Sequence, residues 1–151
     1  MIDIIAHRIN TIEGLKSIPK NFGIEVDIRS SGQDLIISHD PYLSGDNFED
    51  WIKSYNHKLL ILNVKEEGLE SKIIEIMKKE YIDNYFFLDQ SFPFLIKNAK
   101  NCLGRSAVRY SEFESIDNVL SLKGIVKWVW IDCFNFLPID KINIDIIKNS
   151  H

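Results

Sequence analysis

Three short runs in the first third of the chain carry residue types suited to acid–base and cation chemistry: His7-Arg8, Glu25-Val26-Asp27 and His39-Asp40. Glu25 and Asp27 stand two apart in a run that reads as a strand, which points both carboxylates to one face of a sheet. Two hard oxygen ligands with room for water and substrate suit Mg²⁺ or Ca²⁺ better than zinc. Two histidines at the same rim can serve as proton donor and acceptor, because imidazole titrates near neutral pH. Arg8 and Lys65 would offer fixed positive charge to phosphate oxygens, the first as a planar fork and the second as a point charge. Cation, basic pair and histidines together describe in-line displacement at a phosphodiester.

Such groups work only if strands bring them to one rim. Short β-rich runs at Asp3–Ala6, Gly23–Ile28, Leu59–Val64, Tyr85–Leu88, Arg105–Val108 and Val126–Ile131 alternate with stretches of helical period, the signature of βα units and a parallel sheet. Thr11 can cap a helix to about Ile18, the segment Leu69–Tyr81 is amphipathic, and Ser91 can open a helix to Lys100. Ser111 with Glu114 has capping-box spacing ahead of Glu112–Leu122, and Pro138 is expected to start the last helix. Asp34–Ser38 reads as a small extended excursion of the second unit. In parallel βα folds reactive groups sit at the carboxyl ends of strands. Here those ends carry His7-Arg8, Asp27 to Arg29, His39-Asp40, Asn63 to Lys65, Asp89, Arg109 to Glu112 and Asp132.

The chain has 151 residues, 45% hydrophobic and 26% charged, which fits one globular domain spanning 1–151. Lys and Arg number 18 against 22 Asp and Glu, a net charge of −4, and no basic block interrupts it. A nucleic-acid surface held by bulk electrostatics is therefore not expected. No apolar run approaches the ~20 residues of a membrane span, and the amino terminus lacks the pattern of a signal peptide. Cys102 and Cys133 are single, without metal-type spacing, and read as buried free thiols in a reducing, cytoplasmic setting.

At the reactive residues the sequence resembles the glycerophosphodiester phosphodiesterases, within the wider superfamily of phospholipase-C-like phosphodiesterases on a TIM barrel. The likeness rests on Ile5-Ala6-His7-Arg8, Asn10-Thr11, Gly23-Ile24-Glu25-Val26-Asp27-Ile28-Arg29, Gly32 and Ile36-Ile37-Ser38-His39-Asp40, with Ser91-Phe92 as a later pair. The resemblance implies that His7 and His39 are the general acid and base and that Arg8 binds phosphate. It also implies that Glu25 and Asp27 hold a divalent metal and that Lys65 lies beside the phosphate. Where the family has a third metal-binding Glu this chain has Asn63, which offers a carbonyl oxygen without charge. Ile9 replaces the glycine after His-Arg, and the stretch between His39 and Leu59 is too short for the family's insertion. Small members encoded with bacterial surface-polysaccharide genes share the N-x-K of Asn63 and Lys65, which extends the expected substrates to glycan-linked phosphodiesters.

The expected fold is thus α/β, a TIM-barrel-type (β/α) parallel sheet short of its last two units, since a closed barrel takes eight units and about 250 residues. Truncation, or strands supplied by a second copy in a homodimer, would account for the shortage. Two other functions remain open from the sequence: a lyase of the same superfamily releasing a cyclic phosphate, and a non-catalytic barrel that binds a phosphorylated sugar. Asp89, Arg109, Glu112 and Asp132 rest on strand-end position alone and read first as caps or surface ion pairs, with Arg109 the best further phosphate ligand. Ser44 to Asp50 reads as a loop and helix cap rather than a calcium loop, and His57 as a solvated loop residue.

Overall fold

The computed structural model describes residues 3–99 and 104–149. Lys100 and Cys102 lie outside them. The chain forms two compact units that divide after Gln90.

The first unit is built on a five-stranded sheet. Strands β1 (Ile5–Ala6), β2 (Gly23–Ser31), β4 (Leu60–Val64) and β5 (Tyr85–Leu88) run parallel in the order β1-β2-β4-β5. β3 (Asp34–Ile37) folds back antiparallel on the far end of β2, pairing Ile28 with Ile37 and Ser31 with Asp34. That pairing explains why β2 extends to Ser31 rather than stopping at Ile28: the excursion supplies hydrogen-bond partners to the last residues of the strand. The turn between them is Gly32, at φ +62°, a conformation glycine adopts without a Cβ penalty.

β2 is buried on both faces from Gly23 to Ile28. Ile24, Val26 and Ile28 pair with Leu60, Leu62 and Val64 and supply one apolar face. Glu25 and Asp27 pair with Ile61 and Asn63 on the opposite face. Gly23 lies close to its neighbours: a Cβ there would sit 2.3 Å from Ile5 Cδ1, a side-chain end that can move, and 3.2 Å from the Leu59 carbonyl oxygen, which cannot move as easily. Helix α1 (Ile12–Ser17) is capped by Thr11, whose side chain accepts from the Gly14 N–H. Asn47 caps α2 (Phe48–Ile52), which buries Phe48, Trp51 and Ile52. Helix α3 (Glu70–Lys79) buries Ile73, Ile76 and Met77 on one stripe, with Lys78 and Lys79 in its last turn favourable to the helix dipole.

The second unit holds α4 (Phe92–Ala99), β6 (Ala107–Tyr110), α5 (Ile116–Ser121), β7 (Trp128–Ile131) and α6 (Lys141–Lys148). β6 and β7 pair in parallel, and Leu95, Val108, Val119, Leu122 and Val126 form the centre of its core. Both units are therefore α/β, with a mostly parallel arrangement of strands. Among the described residues no helix is long and apolar enough to cross a membrane.

Several local expectations are corrected. β6 starts two residues later than Arg105 and runs on to Tyr110. Ser111 and Glu114 do pair by side chain, but in a turn that closes on itself, and Ser115 caps the helix instead. Asp140 caps α6 through the Asn143 N–H, while the Pro138 carbonyl accepts from the Tyr110 hydroxyl. Cys133 is exposed rather than buried. His57 is buried, with Nε2 against the Ile18 carbonyl at 3.1 Å, and not solvated.

Candidate active site

Seven of the eight residues singled out from the sequence lie in the first unit, at the carboxyl ends of β1, β2 and β4 and just past β3. Glu25 and Asp27 are fully buried. Glu25 Oε2 accepts from the Arg8 backbone N–H at 2.7 Å and lies 3.6 Å from His7 Nε2, and Oε1 accepts from Asn63 Nδ2 at 2.8 Å. Asp27 is clasped by Asn10, which donates Nδ2–H to Oδ2 at 2.8 Å and accepts the Asp27 backbone N–H at 3.1 Å. Its other oxygen, Oδ1, faces the Lys65 ammonium at 3.3 Å. Lys65 also touches Asp89 at 3.2 Å, so it turns into the site rather than toward its neighbours Glu66 and Glu67.

His39 sits between two fixed groups. Nδ1 is 2.8 Å from Asp40 Oδ1, and Nε2 is 2.9 Å from an Arg8 guanidinium nitrogen. A guanidinium only donates, so Nε2 must accept, which puts the imidazole proton on Nδ1, toward Asp40. The geometry thus presents a neutral histidine whose Nε2 lone pair points at the arginine expected to hold phosphate. Arg29 donates from Nε and Nη2 to the His39 carbonyl at 3.1 and 3.0 Å and fixes the loop that carries the ring. Its partner Glu66 takes the Ser30 N–H and hydroxyl as well. Burial pushes the Glu66 carboxyl up, but the Ser30 hydrogen bonds and Arg29 outweigh it and hold the group below its ordinary value.

Backbone strain gathers here. Arg8, Tyr42 and Asp89 have φ of +56°, +64° and +60°, rare for residues with a Cβ, and all three flank the site. Tyr81, at φ +56°, has a different cause: it ends α3, where a left-handed residue closes the last turn.

Among the described residues no three His, Cys, Asp or Glu side chains converge as a metal cage. The donor set still fits a hard cation. Asn63 Oδ1 is a buried oxygen without a hydrogen-bond partner, and Asp27 Oδ1, on the residue opposite it in register, has only its ion pair with Lys65. An orphaned buried oxygen is costly, and a cation beside Asp27 would satisfy that of Asn63. Charge points the same way: Glu25, Asp27, Asp40 and Asp89 are four carboxylates against the two cationic side chains Arg8 and Lys65.

Arg109 belongs to the second unit, where it pairs with Glu114 at 2.8 Å and Asp132 at 3.7 Å. The Glu112 carboxylate there accepts from the backbone N–H groups of Phe134, Asn135 and Phe136. Desolvation opposes ionisation of this group, yet those N–H groups hold its pKa down to about 2. Arg109 thus takes part in an ion pair, and Glu112 gathers the N–H groups of the loop after β7 rather than capping a helix. Residue types alone give Asn10 and Arg29 no role and read Asp89 as a cap. Arg29 follows Glu25 and Asp27 at the same two-residue spacing, the signal that could have marked it. Comparison with protein-family models, with curated proteins and with solved structures finds no match.

Proposed function

We propose that this chain is a metal-assisted phosphodiesterase, acting on a glycerophosphodiester-like or glycan-linked phosphodiester from the rim of a TIM-barrel-type sheet. The observation that carries the reading is the Asp40–His39–Arg8 relay set against the buried Glu25–Asp27 pair. The His-Arg, Glu-x-Asp and His-Asp resemblance supports it independently.

In this reading Arg8 swings its guanidinium from His39 to the phosphoryl oxygens, freeing Nε2 to take the proton of an attacking water. The water oxygen bonds to phosphorus as the bond to the leaving oxygen breaks, and His7, exposed at the rim, supplies the proton that the leaving alcohol needs. Asp40 keeps the His39 ring in one tautomer and stabilises the imidazolium as it forms. Lys65 offsets negative charge at Asp27 and on the phosphoryl group. Glu25, Asp27 and Asn63 would hold Mg²⁺ or Ca²⁺, which supplies charge stabilisation for the developing oxyanion.

Phosphorus NMR of glycerophosphodiesters incubated with the chain and either metal tests this. A phosphomonoester as first product is expected; a cyclic phosphate would assign the lyase branch. Replacing His7 or His39 by Ala should lower turnover roughly 10²-fold or more, and activity that survives both changes overturns the proposal. Ligand binding without metal-dependent turnover is the outcome expected of a phospho-sugar-binding module, the alternative that Asn63 favours.

A further inference from the structure

Lys65 stands between two carboxylates of unequal burial. Its ammonium lies 3.3 Å from Asp27 Oδ1 and 3.2 Å from Asp89 Oδ2, and those side chains are 0% and 28% exposed. The Lys65 backbone N–H donates to the Ile28 carbonyl at 3.0 Å, which fixes its Cα at the end of β4 and leaves the flexible four-carbon stem to choose between partners. Glu66, next along the chain, does not compete for the ammonium, because Ser30 and Arg29 already hold that carboxylate.

Asp89 is held in place from outside the site. It follows β5 at φ +60°, a backbone that Asp and Asn tolerate better than most residues. The next residue, Gln90, donates Nε2–H to Glu70 Oε1 at 2.8 Å. Glu70, buried at the start of α3, takes the Gly68 N–H on its other oxygen at 3.1 Å. The loops after β4 and β5 are thus clamped to each other, and the Lys65–Asp89 pair is a second tie between them.

Asp27 Oδ1 is the oxygen that the site offers to a divalent ion, and it is also the one that the Lys65 ammonium faces. Two cations at one buried oxygen repel each other, so one must give way. We propose that Asp89 is the alternative seat of Lys65: as a divalent cation takes Asp27, the ammonium gives up Asp27 and keeps Asp89. The exchange needs only rotation of the stem, since the Asp89 contact already exists. It keeps a positive charge at the rim for the phosphoryl group, and it makes Asp89 a positioning residue that acts on metal affinity through Lys65. The inference rests on the reading that Asp27 holds Mg²⁺ or Ca²⁺.

Calorimetric titration of the full chain with Ca²⁺ or Mg²⁺ alone, at neutral pH, tests the exchange. Lys65→Met removes the competitor and should tighten binding, whereas Asp89→Asn, which suits the same left-handed backbone, returns Lys65 to Asp27 and should weaken it, each about tenfold. In the double variant the Asp89→Asn step should shrink to about twofold or less, because the residue it acts through is gone. In the unmodified chain the Lys65 Cε–Hε resonance should move with the same midpoint as ion binding, a readout that needs no variant to fold. An Asp89→Asn step of equal size with and without Lys65 assigns Asp89 a direct pull on the ion and overturns the exchange. So does a Lys65→Met chain that binds no more tightly, or a Lys65 resonance indifferent to the ion. Those outcomes leave the metal-assisted reading standing, whereas failure of the unmodified chain to bind either ion removes the cation from Asp27 and overturns both.

Discussion

His39 shows how much one proton position depends on neighbours: Asp40 and Arg8 together decide which ring nitrogen is the acceptor. Asp40→Asn removes the charge that orients and stabilises the ring but leaves a side chain of equal size. It should lower kcat about tenfold with little change in KM, and shift the pH profile of kcat, where a merely structural residue would lower stability instead. Asn63 is the second residue on which the chemistry turns. Its Nδ2 satisfies Glu25 and its Oδ1 is orphaned, so the amide does half the work of a carboxylate. Asn63→Glu would crowd three carboxylates and destabilise the metal-free fold, while tightening the hold on a divalent ion. Thermal melts should therefore show a lower midpoint without metal and a larger rise with Mg²⁺ or Ca²⁺ than in the wild type. Equal rises in both proteins would remove the cation from this position.

The loop from Pro41 to Asn47 holds the site together at the level of elements. The Asp46 carbonyl accepts from Ile37 at 2.9 Å, and the Asp46 carboxylate accepts from the Ile12 N–H at the start of α1. Gly45 makes this possible, because a Cβ there would lie 1.8 Å from the Ile37 carbonyl oxygen. Gly45→Ala must push the loop off β3, and should cost about 1–3 kcal/mol of stability, as overpacked sites do, measured by denaturant unfolding. Because His39 stands between β3 and this loop, turnover should fall along with stability. Tyr42→Gly, in the same loop, should instead leave stability equal or slightly raised by relieving a left-handed tyrosine.

At the scale of the molecule the two units are expected to meet acid in different ways. Burial holds the His57 pKa below its ordinary 6.5, and Lys20 adds to this against the Ile18 carbonyl. A depressed histidine contributes stability that is present above pH 6.5 and lost as pH falls through the folded value. Glu112, lowered from 4.5 to about 2, contributes stability present above pH 4.5 and lost as pH falls toward about 2. His57→Gln should flatten the midpoint's decline just below pH 6.5, and Glu112→Gln should flatten it only below 4.5, both read from melts across pH. Most of the strands, the amphipathic α3 and the shared face of Glu25 and Asp27 were legible in the chain itself, because periodicity and two-residue spacing are local properties. Pairing was not: that β2 lies between β1 and β4, and that β6 begins at Ala107 opposite Trp128, depend on partners distant in sequence, while Ser115 rather than Ser111 caps α5 because Ser111 and Glu114 are already taken by each other. The same holds at the site, where residue types alone named His7, Arg8, Glu25, Asp27, His39 and Lys65. Which oxygen each nitrogen faces, that Asn10 clasps Asp27 and that Arg29 fixes His39, only the tertiary structure decided, since hydrogen bonds between strand ends are set by how the strands pair.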